Sequence, residues 1–156
     1  MVDVPATPLR LDGDGWVRCS LGHKHWGVHG AAGLLVRAPD DEGVDRVLLQ
    51  RRAWWTHHGD SWGVPGGARM STETPEQAAW REIGEEVDID LSDVTIDGLH
   101  TDDHGGWTYW TVLARAPHIV PADGHSRETA EVRWVRQDDV RRLPLHPGFA
   151  ATWPRL

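Results

Sequence analysis

GARMSTETPEQAAWREIGEEVDI, residues 67–89, is the stretch that decides the fold. Its second half reads as a helix. Thr74-Pro75-Glu76-Gln77 supplies an N-cap hydroxyl, a proline at the first helical position and a glutamine at N3, which together make a capping-box start. The helix is predicted to run from there to about Val87. At about 100° per residue, Ala79, Trp80, Ile83 and Val87 gather on one side, ready to pack on a sheet. Glu82, Glu85 and Glu86, spaced i, i+3 and i+4, take the neighbouring arc. Three carboxylates crowded there repel one another, and Arg81, four before Glu85, offsets part of that. The rest calls for a hard divalent cation, and ligands that are all oxygen suit Mg²⁺ or Mn²⁺. Three such glutamates alone would equally fit a solvated acidic face.

The wider spacing decides between the two. Gly67-x5-Glu73-x7-Arg81-Glu82-Ile83-x-Glu85-Glu86-x-Asp88-Ile89 resembles the signature of the Nudix hydrolases, G-x5-E-x7-R-E-U-x-E-E-x-G-U with U aliphatic. Every fixed position agrees except the last glycine, which is Asp88 here. The lead-in Trp62-Gly-Val-Pro-Gly-Gly67 resembles the family as well. The resemblance implies a Nudix-type α/β/α sandwich with a mixed β-sheet. It also implies hydrolysis of a nucleoside diphosphate linked to another moiety, with Mg²⁺ (or Mn²⁺) as cofactor. By position, Glu85 and Glu86 match the main metal ligands, and Glu82 a ligand or the base that activates water. The carbonyl of Gly66 matches a backbone metal ligand, and Glu73 and Arg81 match the pair that braces loop to helix. The base is drawn either from the helix or from a later loop, where Glu128 and Glu131 are the candidates. Asp88 is expected in the left-handed cap conformation of the family's glycine, which Asp tolerates better than most residues. The carboxylates should stay where they are.

Working outward, AAGLLVRA (31–38) reads as a buried strand, Pro39–Gly43 as a turn and VDRVLLQRR (44–52) as the returning strand. A Trp/His-rich loop (53–61) leads to a short strand at Trp62. VTIDGLHT (94–101) and WTYWTVLARA (107–116) read as strands joined across residues 102–106. A long loop rich in Pro, Asp, His and Ser precedes the strand EVRWVR (131–136). Asp138 and Asp139 could start a last helix, limited by Pro144 and Pro147. Strands around one strong helix make the class α+β. Residues 1–15 are expected to be loosely ordered, and residues 16–156 to form a single domain.

Composition bounds the partners. The 156 residues carry 16 basic and 24 acidic side chains, a formal charge of −8. That argues against a stable nucleic-acid partner, which needs a basic footprint. No apolar run is long enough to span a membrane, and the N-terminus lacks the basic and apolar regions of a secretory signal. Cys19, the single cysteine, points to a reducing, cytoplasmic setting. A monomer or homodimer is expected.

Ten of the twelve aromatic residues are Trp. Trp54, Trp55 and Trp107 are candidates to stack on a base, with Arg51 and Gly67 as further substrate-binding candidates, although core packing suits any single Trp better. Alternation puts Trp107 and Tyr109 on one sheet face and Trp110 on the other. Cys19, His23, His25 and His29 have the residue types of a zinc site but not a standard spacing, so an ordinary packed or surface segment is favoured. His57, His58, His100 and His104 read as surface residues near strand ends. The resulting expectation is a nucleoside triphosphate pyrophosphohydrolase. An ADP-ribose or nucleotide-sugar pyrophosphatase is the alternative, followed by a non-catalytic ligand-sensing domain of the same family and a histidine-rich metal-binding protein.

Overall fold

The computed structural model describes residues 11–156. Of the N-terminal segment expected to be loose, residues 1–10 lie outside the described part. Residues 11–15 are tied down: the Asp12 carboxylate accepts from the backbone N–H and the hydroxyl of Ser71, and the Gly13 carbonyl accepts from the Val28 N–H at 2.8 Å. A Cβ on Gly13 would lie 2.1 Å from the Arg69 carbonyl oxygen, so glycine permits this close approach. β1 (Trp16–Arg18) and β2 (Lys24–Trp26) then form an antiparallel hairpin that the sequence does not announce.

The main sheet is built from β3 (Ala31–Pro39), β4 (Asp45–Arg52), β5 (Trp62–Gly63) and β6 (Gly66–Ala68), joined after the helix α1 (Pro75–Glu86) and the short β7 (Val87–Ile89) by further strands. These are β8 (Thr95–Asp103), β9 (Thr108–Arg115) and, beyond the short β10 (Ala122–Gly124), β11 (Thr129–Arg136). The order is β11-β4-β3-β9-β8, with β5 added to β4 and β6 to β3. β3 runs parallel to β9 and the other pairs are antiparallel, so the sheet is mixed as expected. β3 is buried on both faces, which is why it reads as a continuous apolar run. Its alternate residues serve two cores. Ala32, Leu34 and Val36 pack with Leu48, Val112 and Ile83 under α1. Leu35 packs with Val47, Leu49, Trp62, Phe149 and Trp153 on the other side.

The second outer layer consists of short pieces: a 3-10 turn (Gln137–Arg142), α2 (Pro147–Thr152) and a 3-10 turn (Trp153–Arg155). The helix expected at Asp138 is this 3-10 turn. Pro147 starts a helix instead of limiting one, because at the first helical position its missing N–H is no loss.

The capping box of α1 forms in full, with Gln77 N–H donating to Thr74 Oγ1 at 3.1 Å and Thr74 N–H donating to Gln77 Oε1 at 2.9 Å. The expected left-handed cap at Asp88 does not form. Val87 is already extended (φ −129°, ψ 131°), and Asp88 lies in β7, opposite Asp123 of β10. The helix passes straight into a strand, so no glycine is needed there. Among the described residues no helix is long and apolar enough to cross a membrane. Asp is a poor strand former, and here it faces a like charge across the ladder. Asp88→Thr should therefore raise unfolding stability by about 0.5–1 kcal/mol in a denaturant titration.

Candidate active site

Arg81 gathers the motif around one guanidinium. Its Nε and Nη2 donate to the two oxygens of Glu73, both at 2.8 Å, in a bidentate fork. Nη2 also donates to the Ala68 carbonyl at 3.0 Å, and Nη1 to Glu82 Oε1 at 2.9 Å and to Glu85 Oε1 at 3.3 Å. Glu73 in turn accepts the Met70 N–H at 2.9 Å. Loop 67–73 is thus pinned to the helix, as the bracing pair was expected to do. The bond from Arg81 holds the Glu73 carboxyl below its ordinary pKa, and the same partnership raises that of Arg81.

The other carboxylates are less well compensated. A Cβ on Gly67 would lie 2.6 Å from the Glu82 carboxylate, so the missing side chain is what lets this acid lie against the loop. Glu86 Oε2 accepts from Gln50 Nε2 at 3.0 Å and from the Gly66 N–H at 3.1 Å, both neutral donors. Burial, only partly opposed by Arg81 and reinforced by the charge of Glu85, lifts Glu82 to about 7. Burial and the charge of Glu82 lift Glu86 to about 8. Glu85 is half-exposed. The three glutamates do not close on a single point; among the described residues no group of three His, Cys, Asp or Glu side chains does. Still, the donor set is all oxygen, and it holds two half-buried acids whose negative charge lacks a full counter-ion. A hard divalent cation fits that chemistry.

Two residues that sequence reasoning passed over stand beside this cluster. Strand alternation puts Leu48, Gln50 and Arg52 on the face of β4 that meets α1, and Gln50 reaches Glu86 from it. Arg52 is near enough to lower the pKa of Glu86 by its charge. Arg51 therefore points the other way, where it pairs with Asp60 at 2.9 Å and Glu131 at 3.6 Å; it is not brought to the glutamates. Glu131 is further engaged by Arg133 at 2.6 Å. Gln50, Arg52, Gly63, Val64, His146 and Phe149 line a pocket at this end of the sheet. Counting in twos links Gln50 and Arg52 to Leu48, but Val47 and Leu49 are buried as well, so the sequence does not say which face meets the helix. Nothing in the sequence signals His146, which comes from the C-terminal segment.

Glu128 is exposed, in a loop that docks beside the site: His125 N–H donates to the Glu86 carbonyl at 3.0 Å, and Thr129 Oγ1 to Gln50 Oε1 at 3.4 Å. Trp54 and Trp55 are exposed on the loop after Arg52. Trp107 is buried instead. Its Nε1–H donates to the Gly27 carbonyl at 3.0 Å, and its ring stacks on His25 at 4.0 Å. Cys19 is buried with Trp107 and Tyr109, while His23 is exposed. Of the remaining histidines, His100 faces Asp102 at 3.3 Å and His104 lies against His25.

The NUDIX-domain family model matches residues 27–156. The chain belongs to the Nudix family. It is a hydrolase acting on phosphoric anhydride bonds. It is 50% identical over 155 residues, 95% of this chain and 70% of the other, to a Mycobacterium tuberculosis protein provisionally named 8-oxo-dGTP diphosphatase 3. It is 40% identical over 156 residues to a nucleoside triphosphate pyrophosphatase/Nudix hydrolase fusion protein of Bifidobacterium longum, covering 97% of this chain and 32% of that protein. Among solved structures, the Nudix hydrolase RenU of M. smegmatis superposes with a TM-score of 0.86 at 48% identity, over 92% of each chain.

Two outcomes follow from the site of this Nudix hydrolase. Glu82 and Glu86 have folded pKa values above their unfolded ones. The stability linked to their protonation is complete below the unfolded value and is lost as pH rises through about 7 and about 8. The metal-free protein should melt at lower temperature at pH 9 than at pH 6, and Glu86→Gln should flatten that slope. In Gly67→Ala the three atoms nearest the new methyl are all at the carboxylate end of Glu82. The melting temperature should hold while activity falls roughly 10-fold or more, through displacement of a positioned group.

Proposed function

We propose that the chain hydrolyses nucleoside triphosphates to the monophosphate and pyrophosphate with Mg²⁺ or Mn²⁺ in the site. The observation that carries this is the pairing of a half-buried, incompletely neutralised acid, Glu86, with Arg52, whose guanidinium is only partly engaged, at the rim of the same cleft. A polyphosphate bridged by a divalent cation suits both. The names of the M. tuberculosis and B. longum relatives support the same substrate class and make 8-oxo-dGTP the first nucleotide to test.

In this reading Glu85, Glu86 and the Gly66 carbonyl would hold the cation. When bound, it supplies charge neutralisation, a polarised phosphoryl oxygen and a more acidic water. Glu82, held by Arg81 at 2.9 Å, would be the base that accepts a proton from the attacking water. Arg81 positions Glu82 and Glu85. Glu128, on the docked loop, is the second candidate for the base. Trp54 and Trp55 stay candidates for covering the base of the nucleotide. Trp107 does not, because its ring and N–H are already occupied.

Turnover of 8-oxo-dGTP and dGTP with Mg²⁺, read as pyrophosphate and not as phosphate, tests the proposal. Chelation should abolish it. Glu86→Gln should lower kcat by roughly 10²-fold or more. Glu82→Gln should cost more in kcat than Glu128→Gln, and the reverse order would move the base to the loop. Cleavage of ADP-ribose with the triphosphates untouched would assign the chain to the diphosphate-sugar branch instead.

A further inference from the structure

The pocket beside Glu86 is closed on one side by the C-terminal segment. Trp62 N–H donates to the Pro144 carbonyl at 2.8 Å, and His146 N–H donates to the Trp62 carbonyl at 2.8 Å, so residues 144–146 are stitched to β5. A Cβ on Gly63 would lie 3.7 Å from that of His146 and 3.9 Å from that of Phe149, which leaves this wall close and fixed. Val64, Phe149 and Gly63 make the pocket's apolar lining, suited to a flat ring.

The polar groups at the pocket are largely committed, and those left over are of one kind. The Gln50 amide donates to Glu86, and its carbonyl accepts from Thr129. Arg52 spends Nε on the His57 carbonyl at 2.8 Å, and its two terminal nitrogens have no partner among the described residues. His146 accepts the Gly148 N–H on Nδ1 at 3.0 Å as the N-cap of α2. A neutral imidazole with an accepting Nδ1 carries its proton on Nε2; the only side-chain hydrogen bond of His146 among the described residues is the one at Nδ1, and its ring meets that of His58 edge-on at 4.7 Å. The ring is neutral at physiological pH, because burial and the neighbouring His58, Arg52 and His57 push its pKa down to about 4. What is left to meet a ligand is therefore a set of donors. A neutral imidazole donor against an apolar wall suits a ring carbonyl better than a phosphate, which would demand a cation.

Resting on the nucleotide hydrolysis proposed above, we infer that His146 determines base specificity: its Nε2–H reads the 6-oxo group of a purine and disfavours a 6-amino group, while Arg52 is left to the polyphosphate. Guanine and its oxidised form bring an acceptor to that position. Adenine brings a donor, which would face a donor and leave His146 unsatisfied.

The test compares dGTP with the 2,6-diaminopurine deoxyribonucleoside triphosphate, which carries an amino group in place of O6. Each is measured with the wild type and with His146→Ser. Serine keeps an N-cap acceptor for Gly148 and removes the donor. The wild type should favour dGTP in kcat/KM by roughly 10-fold or more, mainly through KM. His146→Ser should bring the ratio toward one by weakening dGTP alone, with the melting temperature held. Equal wild-type turnover of the two nucleotides overturns the inference whether or not the variant folds. A variant that loses both substrates alike shows a structural residue and overturns it too. Turnover of neither by the wild type overturns the proposed function and this inference together.

Discussion

The arrangement depends on one cation shared among three acids. Arg81 forks onto Glu73, touches Glu82 and Glu85, and holds the Ala68 carbonyl. Without it, the loop would have no anchor on the helix, and half-buried carboxylates would face one another unpaired, an expensive state in a low-dielectric setting. The sharing is incomplete. Glu86 lies outside the reach of Arg81 and has only an amide and a backbone N–H as partners. The site is thus stabilised at its loop end and left wanting positive charge at its sheet end. That asymmetry turns a bracing salt bridge into a place for a metal-bound polyphosphate.

β4 divides the labour of recognition by parity. Leu48, Gln50 and Arg52 look toward α1, so the strand leads from core to glutamate partner to a partly engaged guanidinium in steps of two residues. Val47, Leu49 and Arg51 look the other way, into the second core and then to Asp60 and Glu131. Two adjacent arginines of the same chemistry thereby acquire opposite roles. The C-terminal segment completes the picture. It covers the second core with Phe149 and Trp153 and, from the residue just before α2, lends His146 to the pocket.

Where expectation and structure part, local chemistry yielded to pairing across the chain. Asp88 was expected in a left-handed cap because it stands where the family signature has a glycine. In the fold β10 takes the chain up as a strand partner from Val87 onward, and an extended backbone wins. Residues 11–15 look loose by composition, yet they are anchored because Ser71 and Val28 bond to them. Trp107 looks like a stacking platform from its type, while its burial follows from the hairpin of β1 and β2, whose His25 covers it.

The sequence by itself determined the helix, its capping box, the order of the carboxylates and the arginine among them. All of these depend on spacing within one continuous stretch, where helical periodicity converts residue number directly into position. The apolar runs likewise determined β3, β4 and β9 as strands. Tertiary structure alone decided which side chains share the cleft. Gln50 meets Glu86 and His146 faces Arg52 only because β4, α1 and the C-terminal segment converge, and such contacts between distant residues leave no periodic mark in the chain. The distinction between Arg51 and Arg52 was settled in the same way. A strand's two faces are equivalent in sequence until something packs on one of them.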